Sequence, residues 1–138
     1  MNVKALRAKP TADDLAILGE EYTKFRLGDD SHISVGSRYL VLEMFLNVDP
    51  GQMGFGAWFT LECDHGHLES YPACLFAVVD DSLDPEWTVS IDREAVVIGP
   101  ALLRQDHFRE DFHEEVPTVT REFRAFLRRM GSRTSRQP

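Results

Sequence analysis

The chain predicts an α+β fold, an antiparallel meander of four or five strands with one helix before it and one or two helices after it, packed on one face. Three observations predict it. Apolar residues recur at helical spacing near both ends. The middle reads as successive strands of alternating or β-branched residues. The turns between those strands are short, and short links join antiparallel neighbours, because parallel strands need a crossover of about a dozen residues.

The first helix begins at Thr11-Ala-Asp-Asp14, where Thr11 is the N-cap and Asp14 reaches back from the third position. Leu15, Leu18, Tyr22 and Phe25 then keep the helical interval, and Gly28 stands where a left-handed cap belongs. Arg38 to Val48 is long and β-branched enough for a strand, with Leu40, Leu42, Met44, Leu46 and Val48 on one face and Tyr39, Val41, Glu43 and Phe45 on the other. Asp49-Pro50-Gly51 is a turn. A second strand covers Met53 to Cys63, and Asp64-His65-Gly66-His67 punctuates the next turn. A third strand covers Tyr71 to Val79, with Pro72 near its start, where a missing donor is tolerated. Trp87, Val89 and Ile91 mark a fourth strand, Ala95 to Ile98 a short fifth, and Gly99-Pro100 an end. Residues 101–115 suit either a helix or an irregular loop. From Val116 the apolar stripe Val119, Phe123, Phe126, Leu127, Met130 predicts a helix that Gly131 stops.

The reading is one domain over residues 1–138, with 1–10 and 132–138 as flexible tails. No stretch approaches the ~20 apolar residues that span a bilayer, and Met1 to Pro10 lacks a signal-peptide apolar region. Cys63 and Cys74 are too few for a disulfide framework, so reduced thiols in a cytoplasmic protein are expected. A hairpin centred near Leu68 and Glu69 would place the two cysteines opposite each other.

The net charge of −8 is unevenly spread: residues 1–61 carry −2, residues 62–115 carry −11, and residues 116–138 carry +5. Nucleic acid is a poor partner for so acidic a body, and none is expected, because phosphate contacts need a positive face. A basic protein is favoured and steered by the same field. Asp80, Asp81, Asp84, Glu86, Asp106, Glu110 and Asp111 are the candidate docking surface.

Metal chemistry has one candidate. His65 and His67 share a face if the backbone there is extended, and Asp64, Glu69, His107 or His113 could supply a third ligand for zinc. The competing reading is a polar turn with solvated histidines. His107-Phe-Arg-Glu-Asp-Phe-His113 is rich in acids and bases, but its histidines are six apart, off register on a helix, and a solvated face is the plainer account. The Asp80-Asp81-Asp84 loop lacks the rhythm and glycine of a calcium loop. Trp58, Tyr71 and Trp87 read as core or sheet-face packing. No GxGxxG, phosphate loop or GxSxG is present, and no residue is assigned a catalytic role.

Trp58-Phe-Thr-Leu-Glu-Cys63, Leu68-Glu-Ser-Tyr71 and Leu83-Asp-Pro-Glu-Trp87-Thr-Val-Ser-Ile-Asp92 together resemble a pattern in some bacterial polymorphic-toxin immunity proteins. There a Trp-containing stretch leads through a Tyr to an Asp-Asn-Pro-Gly-Trp turn and a strand ending in Ile-Asp. The likeness covers about a quarter of the chain; Glu86 stands where the family has glycine, and the acidic partner of the early Trp is missing. The resemblance implies a small α+β protein that binds and blocks a toxin. With the acidic segment, it makes a non-enzymatic binding module for a basic toxin or enzyme the leading expectation; the alternatives are a small metal-dependent hydrolase, from His65 and His67, and a homodimeric accessory or chaperone-like domain, from the sheet face of Tyr39, Val41 and Phe45.

Overall fold

The computed structural model describes residues 1–18, 32–48, 56–91, 93 and 95–134 of the chain. It resolves two compact units, Met1–Pro100 and Ala101–Pro138, the first built on a sheet and the second on helices. The architecture is α+β, as predicted, with seven antiparallel strands among the described residues rather than four or five.

β1 (Asn2–Ala5) is the largest departure from the sequence reading. Residues 1–10 were expected to be a tail. Instead β1 lies inside the sheet, between β2 (Arg38–Asn47) and β5 (Phe76–Asp80), with Val3 fully buried and Met1 and Ala5 nearly so. Four residues are too few to display a period, so this strand leaves no readable alternation.

β2 organises the sheet. Its one edge pairs with β3 (Gly56–Glu62) from Val41 to Asn47, and β3 pairs in turn with β4 (Leu68–Pro72). Its other edge is divided: Arg38 to Leu40 face β1, and Met44 to Asn47 face β7 (Ala95–Pro100), outside which lies β6 (Trp87–Ile91). Ten residues of β2 thus accommodate two short partners end to end, which a meander cannot produce.

The expected third strand is really two. The chain leaves β4 at Pro72, makes a 3₁₀ turn over Ala73–Leu75, and enters β5 on the opposite side of β2. Proline has no N–H to extend the ladder, and Pro72 closes β4 rather than opening a strand. The strict alternation expected along β2 also breaks. Val41 pairs with Leu61 and Glu43 with Thr60, so Leu42 is an extra residue, a β-bulge. The bulge turns Met44 to the face that Val41 occupies, and both pack with Val3, Tyr39, Phe59, Leu61 and Phe76.

α1 (Ala12–Leu18) covers the other face. Its start matches the expected capping arrangement: the Thr11 backbone N–H donates to Asp14 Oδ2 at 2.8 Å and the Asp14 N–H donates to Thr11 Oγ1 at 3.2 Å. Arg7 holds the same Asp14 oxygen at 3.0 Å and the Cys74 carbonyl at 2.7 Å. Leu15 and Leu18 pack with Trp58 and Phe45, whose rings stack 5.9 Å apart from directly opposed positions on β3 and β2. Phe45 is therefore covered by a helix, and Tyr39 and Val41 are buried, so the face proposed as a dimer interface is already occupied. The helix expected from Thr11 to Gly28 is described to Leu18; the remainder, and the Asp49-Pro50-Gly51 turn, lie outside the described residues. Thr11→Ala is expected to lower protection of the α1 amides by about 1 kcal/mol in native-state hydrogen exchange.

In the second unit, residues 101–115 form a 3₁₀ turn (Ala101–Arg104) and a short helix, α2 (Phe108–His113). The Glu115 N–H donates to Phe112 O at 3.1 Å and the Val116 N–H to Asp111 O at 2.9 Å, the paired bonds of a Schellman cap. That cap forces Glu115 to φ +57°, where glycine is at ease and other residues are strained. Glu115→Gly is expected to stabilise the protein by about 0.5–1 kcal/mol in chemical denaturation, and a destabilisation would refute that account. α3 (Pro117–Thr134) starts on a proline at its first turn, as helices favour. It passes through Gly131, the expected stop, to Thr134, so 132–134 are helical rather than tail; 135–138 lie outside the described residues. No helix among the described residues is long and apolar enough to cross a membrane.

Candidate functional site

Two regions of the sheet unit concentrate chemistry, and both grow from turns. β3 and β4 are joined by the three-residue loop Asp64-His65-Gly66. The Gly66 N–H donates to Cys63 O and the Cys63 N–H to His67 O, each at 2.9 Å, and Gly66 supplies the required positive φ of +78°. The turn falls within the expected Asp64-His65-Gly66-His67 and not at Leu68 and Glu69, where the two cysteines would have faced each other. Cys63 therefore opposes His67, and Cys74 lies beyond the hairpin; both thiols are free.

Correct register brings three donors onto one face. Leu61 pairs with Glu69 and Phe59 with Tyr71, so Cys63, Glu69 and Tyr71 project to the core side with Leu61 and Phe59. His32 arrives from the preceding loop. One ligand atom each from His32, Cys63 and Glu69 lie within 4.8 Å of one another. His32 Nδ1 meets Glu69 Oε1 at 2.7 Å, and the Tyr71 hydroxyl donates to Glu69 Oε2. Cys63 is buried; His32 and Glu69 are partly exposed.

Asp64 clamps the His32 loop to the hairpin. Its N–H donates to His32 O at 2.9 Å. Its carboxylate accepts from Ser34 Oγ at 2.6 Å and from the Tyr39 hydroxyl at 2.7 Å. These two bonds hold the Asp64 carboxyl below its ordinary range, and burial, the largest cause, pushes the Tyr39 phenol up.

Of the four residues expected to bind metal, Glu69 alone belongs to the trio. Asp64 is a structural clamp. His65 stacks on the His32 ring at 4.3 Å between centroids and His67 is exposed, and neither belongs to the converging trio. His32, Cys63 and Tyr71 went unread as site residues. His32 carries no local signal, being 31 positions from Cys63, whereas the expected turn at 64–67 already opposes Cys63 to His67 and so sets Glu69 on the same face.

The second region is the outer rim, residues 78–91. Val78, Val79, Leu83, Val89 and Ile91 are all large, apolar and exposed, Ile91 at 73%. Asp80, Asp81, Asp84 and Glu86 lie among them, with no basic residue in the stretch. Among the described residues β6 pairs only with β7, which leaves it an edge strand. The four acids are not equivalent. Asp80 accepts from Asn2 Nδ2 at 3.3 Å and from Ser82 N and Oγ, and the Ser82 hydroxyl is the main reason its carboxyl lies below the ordinary value of 3.8. Asp84 Oδ1 accepts the Glu86 N–H at 2.8 Å and fixes the turn into Trp87. Asp81 and Glu86 are exposed.

A pH dependence follows from Asp80. Because its folded pKa is lowered, the stability it contributes is complete above 3.8 and is lost as pH falls through the lower folded value. The Ser82 amide resonance is expected to report that loss on acid titration, and Asp80→Asn should abolish the transition.

Asp106, Glu110 and Asp111 belong to the helical unit. Glu110 Oε2 accepts from His107 Nδ1 at 2.6 Å and thereby raises the His107 pKa, while Phe108 and Phe112 are buried on the opposite side of α2. That segment is a solvated face. A shallow hollow of about 330 Å³ over residues 103–110 is lined by this one stretch of chain. Comparison with known proteins returns no matching family model, no matching curated protein and no matching solved structure.

Proposed function

We propose that the chain is a non-enzymatic binding module that docks a basic protein on its β6 rim, in the manner of an immunity or inhibitor protein that blocks a toxin or enzyme inside the cell. One observation carries the reading: an edge strand that pairs, among the described residues, with β7 alone, in a stretch whose exposed apolar residues are interspersed with acids and free of bases. Such an edge offers main-chain hydrogen bonds to an added strand, Val89 and Ile91 offer anchors on one face of it, and Asp81 and Glu86 offer charge to a basic rim. The same acids raise the association rate with a positive partner. Soluble domains otherwise blunt such edges with lysine, and here there is none.

The test is affinity capture at low salt followed by binding measurements with the purified captured protein. Ile91→Lys and Val89→Lys are expected to weaken binding at least ~30-fold each, the effect of losing an anchor worth about 2 kcal/mol. Both residues are so exposed that stability should stay within about 0.5 kcal/mol of the parent. Asp81→Asn with Glu86→Gln should slow association and flatten its salt dependence. Unchanged affinity in all of these variants would sink the proposal.

A further inference from the structure

We propose that His32, Cys63 and Glu69 form a zinc site that ties the loop before β2 to the β3–β4 hairpin, a property independent of the rim. The trio offers one imidazole nitrogen, one thiolate and one carboxylate oxygen, all within 4.8 Å of one another. Tetrahedral zinc with bonds of about 2.0–2.3 Å sets neighbouring donors roughly 3.3–3.8 Å apart, so closing on the ion needs about 1 Å of side-chain movement. The backbone is already set for it. The Asp64 N–H holds the His32 carbonyl at 2.9 Å, and the Asp64 carboxylate, through Ser34 and the β2 residue Tyr39, fastens His32 and Ser34 against the turn.

The donor chemistry selects the metal. A thiolate in the set disfavours magnesium and calcium, which take oxygen, whereas mixed nitrogen, sulfur and oxygen donors suit zinc. Binding exchanges the His32–Glu69 hydrogen bond for two bonds to the ion and releases the Cys63 proton. The Tyr71 hydroxyl remains on the other Glu69 oxygen and orients the carboxylate, as outer partners of metal ligands do. His65 stacks face-on against His32 and is not one of the three converging donors, so the fourth position falls to water.

Chelator-treated, tag-free full-length protein is titrated with zinc and, separately, with cobalt(II). One equivalent of zinc is expected to bind, and the cobalt form should show tetrahedral d–d bands with a thiolate-to-cobalt charge-transfer band. Cys63→Ser should remove the charge-transfer band, and both Cys63→Ser and the partly exposed His32→Gln should weaken zinc at least ~100-fold. His65→Ala and His67→Ala should leave affinity unchanged. The wild-type cobalt spectrum decides the matter even if the buried Cys63→Ser variant folds poorly. Failure to take up zinc at micromolar concentration, a cobalt spectrum without the thiolate band, or loss of binding confined to the His65 and His67 variants would each overturn the site.

Discussion

Phe123→Ala is expected to destabilise the protein by about 3–5 kcal/mol, lowering the melting temperature by roughly 10–15 °C. Phe123 has no solvent exposure and sits at the centre of the helical unit's aromatic cluster. Its ring centroid lies 4.7 Å from Phe112 and 6.1 Å from Phe108, both edge-on, and 6.4 Å from Phe126. Edge-to-face pairs add about 0.5–1.5 kcal/mol beyond burial, so truncation loses the transferred area, the aromatic pairs and the packing around the void. α2 has six residues and is too short to persist without this contact. Phe123→Leu keeps most of the volume and should cost less than half as much. Urea denaturation with an unchanged slope checks the number; a loss below about 1 kcal/mol for the alanine variant would mean that the cluster does not hold α2 on α3.

That cluster was legible because α3 declares itself: its apolar residues keep the helical interval for four turns, and the stripe Phe123, Phe126, Met130 is the buried set. The α1 cap was legible for the same reason, since Thr11 and Asp14 act within one turn. What the sequence concealed is non-local. β1 is four residues long and wins its place by filling one end of an edge of β2, a relation between positions far apart in the chain, Asn2 with Leu40 and Lys4 with Arg38. The bulge at Leu42 shifts the parity of β2 without any glycine to announce it, so Met44 joins the face of Val41 against the simple alternation. The His32–Cys63–Glu69 trio failed to show because one donor comes from a distant loop; that the other two share a face can be read from the turn at 64–67. The acids of 80–86 were visible as charge, but their division into two that fasten the loop and two that face solvent depends on hydrogen bonds that composition does not encode.

Gly99 carries the second large effect, and it links the core to the proposed docking edge. In sequence Gly99-Pro100 reads as the end of a strand; in the structure both residues belong to β7, and Gly99 is buried. Its reason is proximity. A Cβ at Gly99 would stand 3.0 Å from Glu43 Cγ, 3.1 Å from Glu43 Cβ and 3.2 Å from Glu43 Cα. The Cα is β2 backbone at a bulged position and the Cβ is bonded directly to it, so neither can swing aside as a side-chain end does. Gly99→Ala is therefore expected to cost about 1–2 kcal/mol and Gly99→Val about 3 kcal/mol, as overpacking of a filled core does. Combining Gly99→Ala with Glu43→Ala should not restore stability, because it removes only the Cγ contact; a rescue would show that the clash is with the flexible end of Glu43 and not with β2 itself. Thr88, opposite Gly99, donates its hydroxyl to the Gly99 carbonyl at 3.3 Å, so any outward shift of β7 moves β6 with it. Gly99→Val should consequently weaken partner binding as well as stability, even though Gly99 is buried and outside the 78–91 rim. Measured beside Ile91→Lys, which should lose binding while keeping stability, it separates the edge as a contact surface from the edge as a strand held in place.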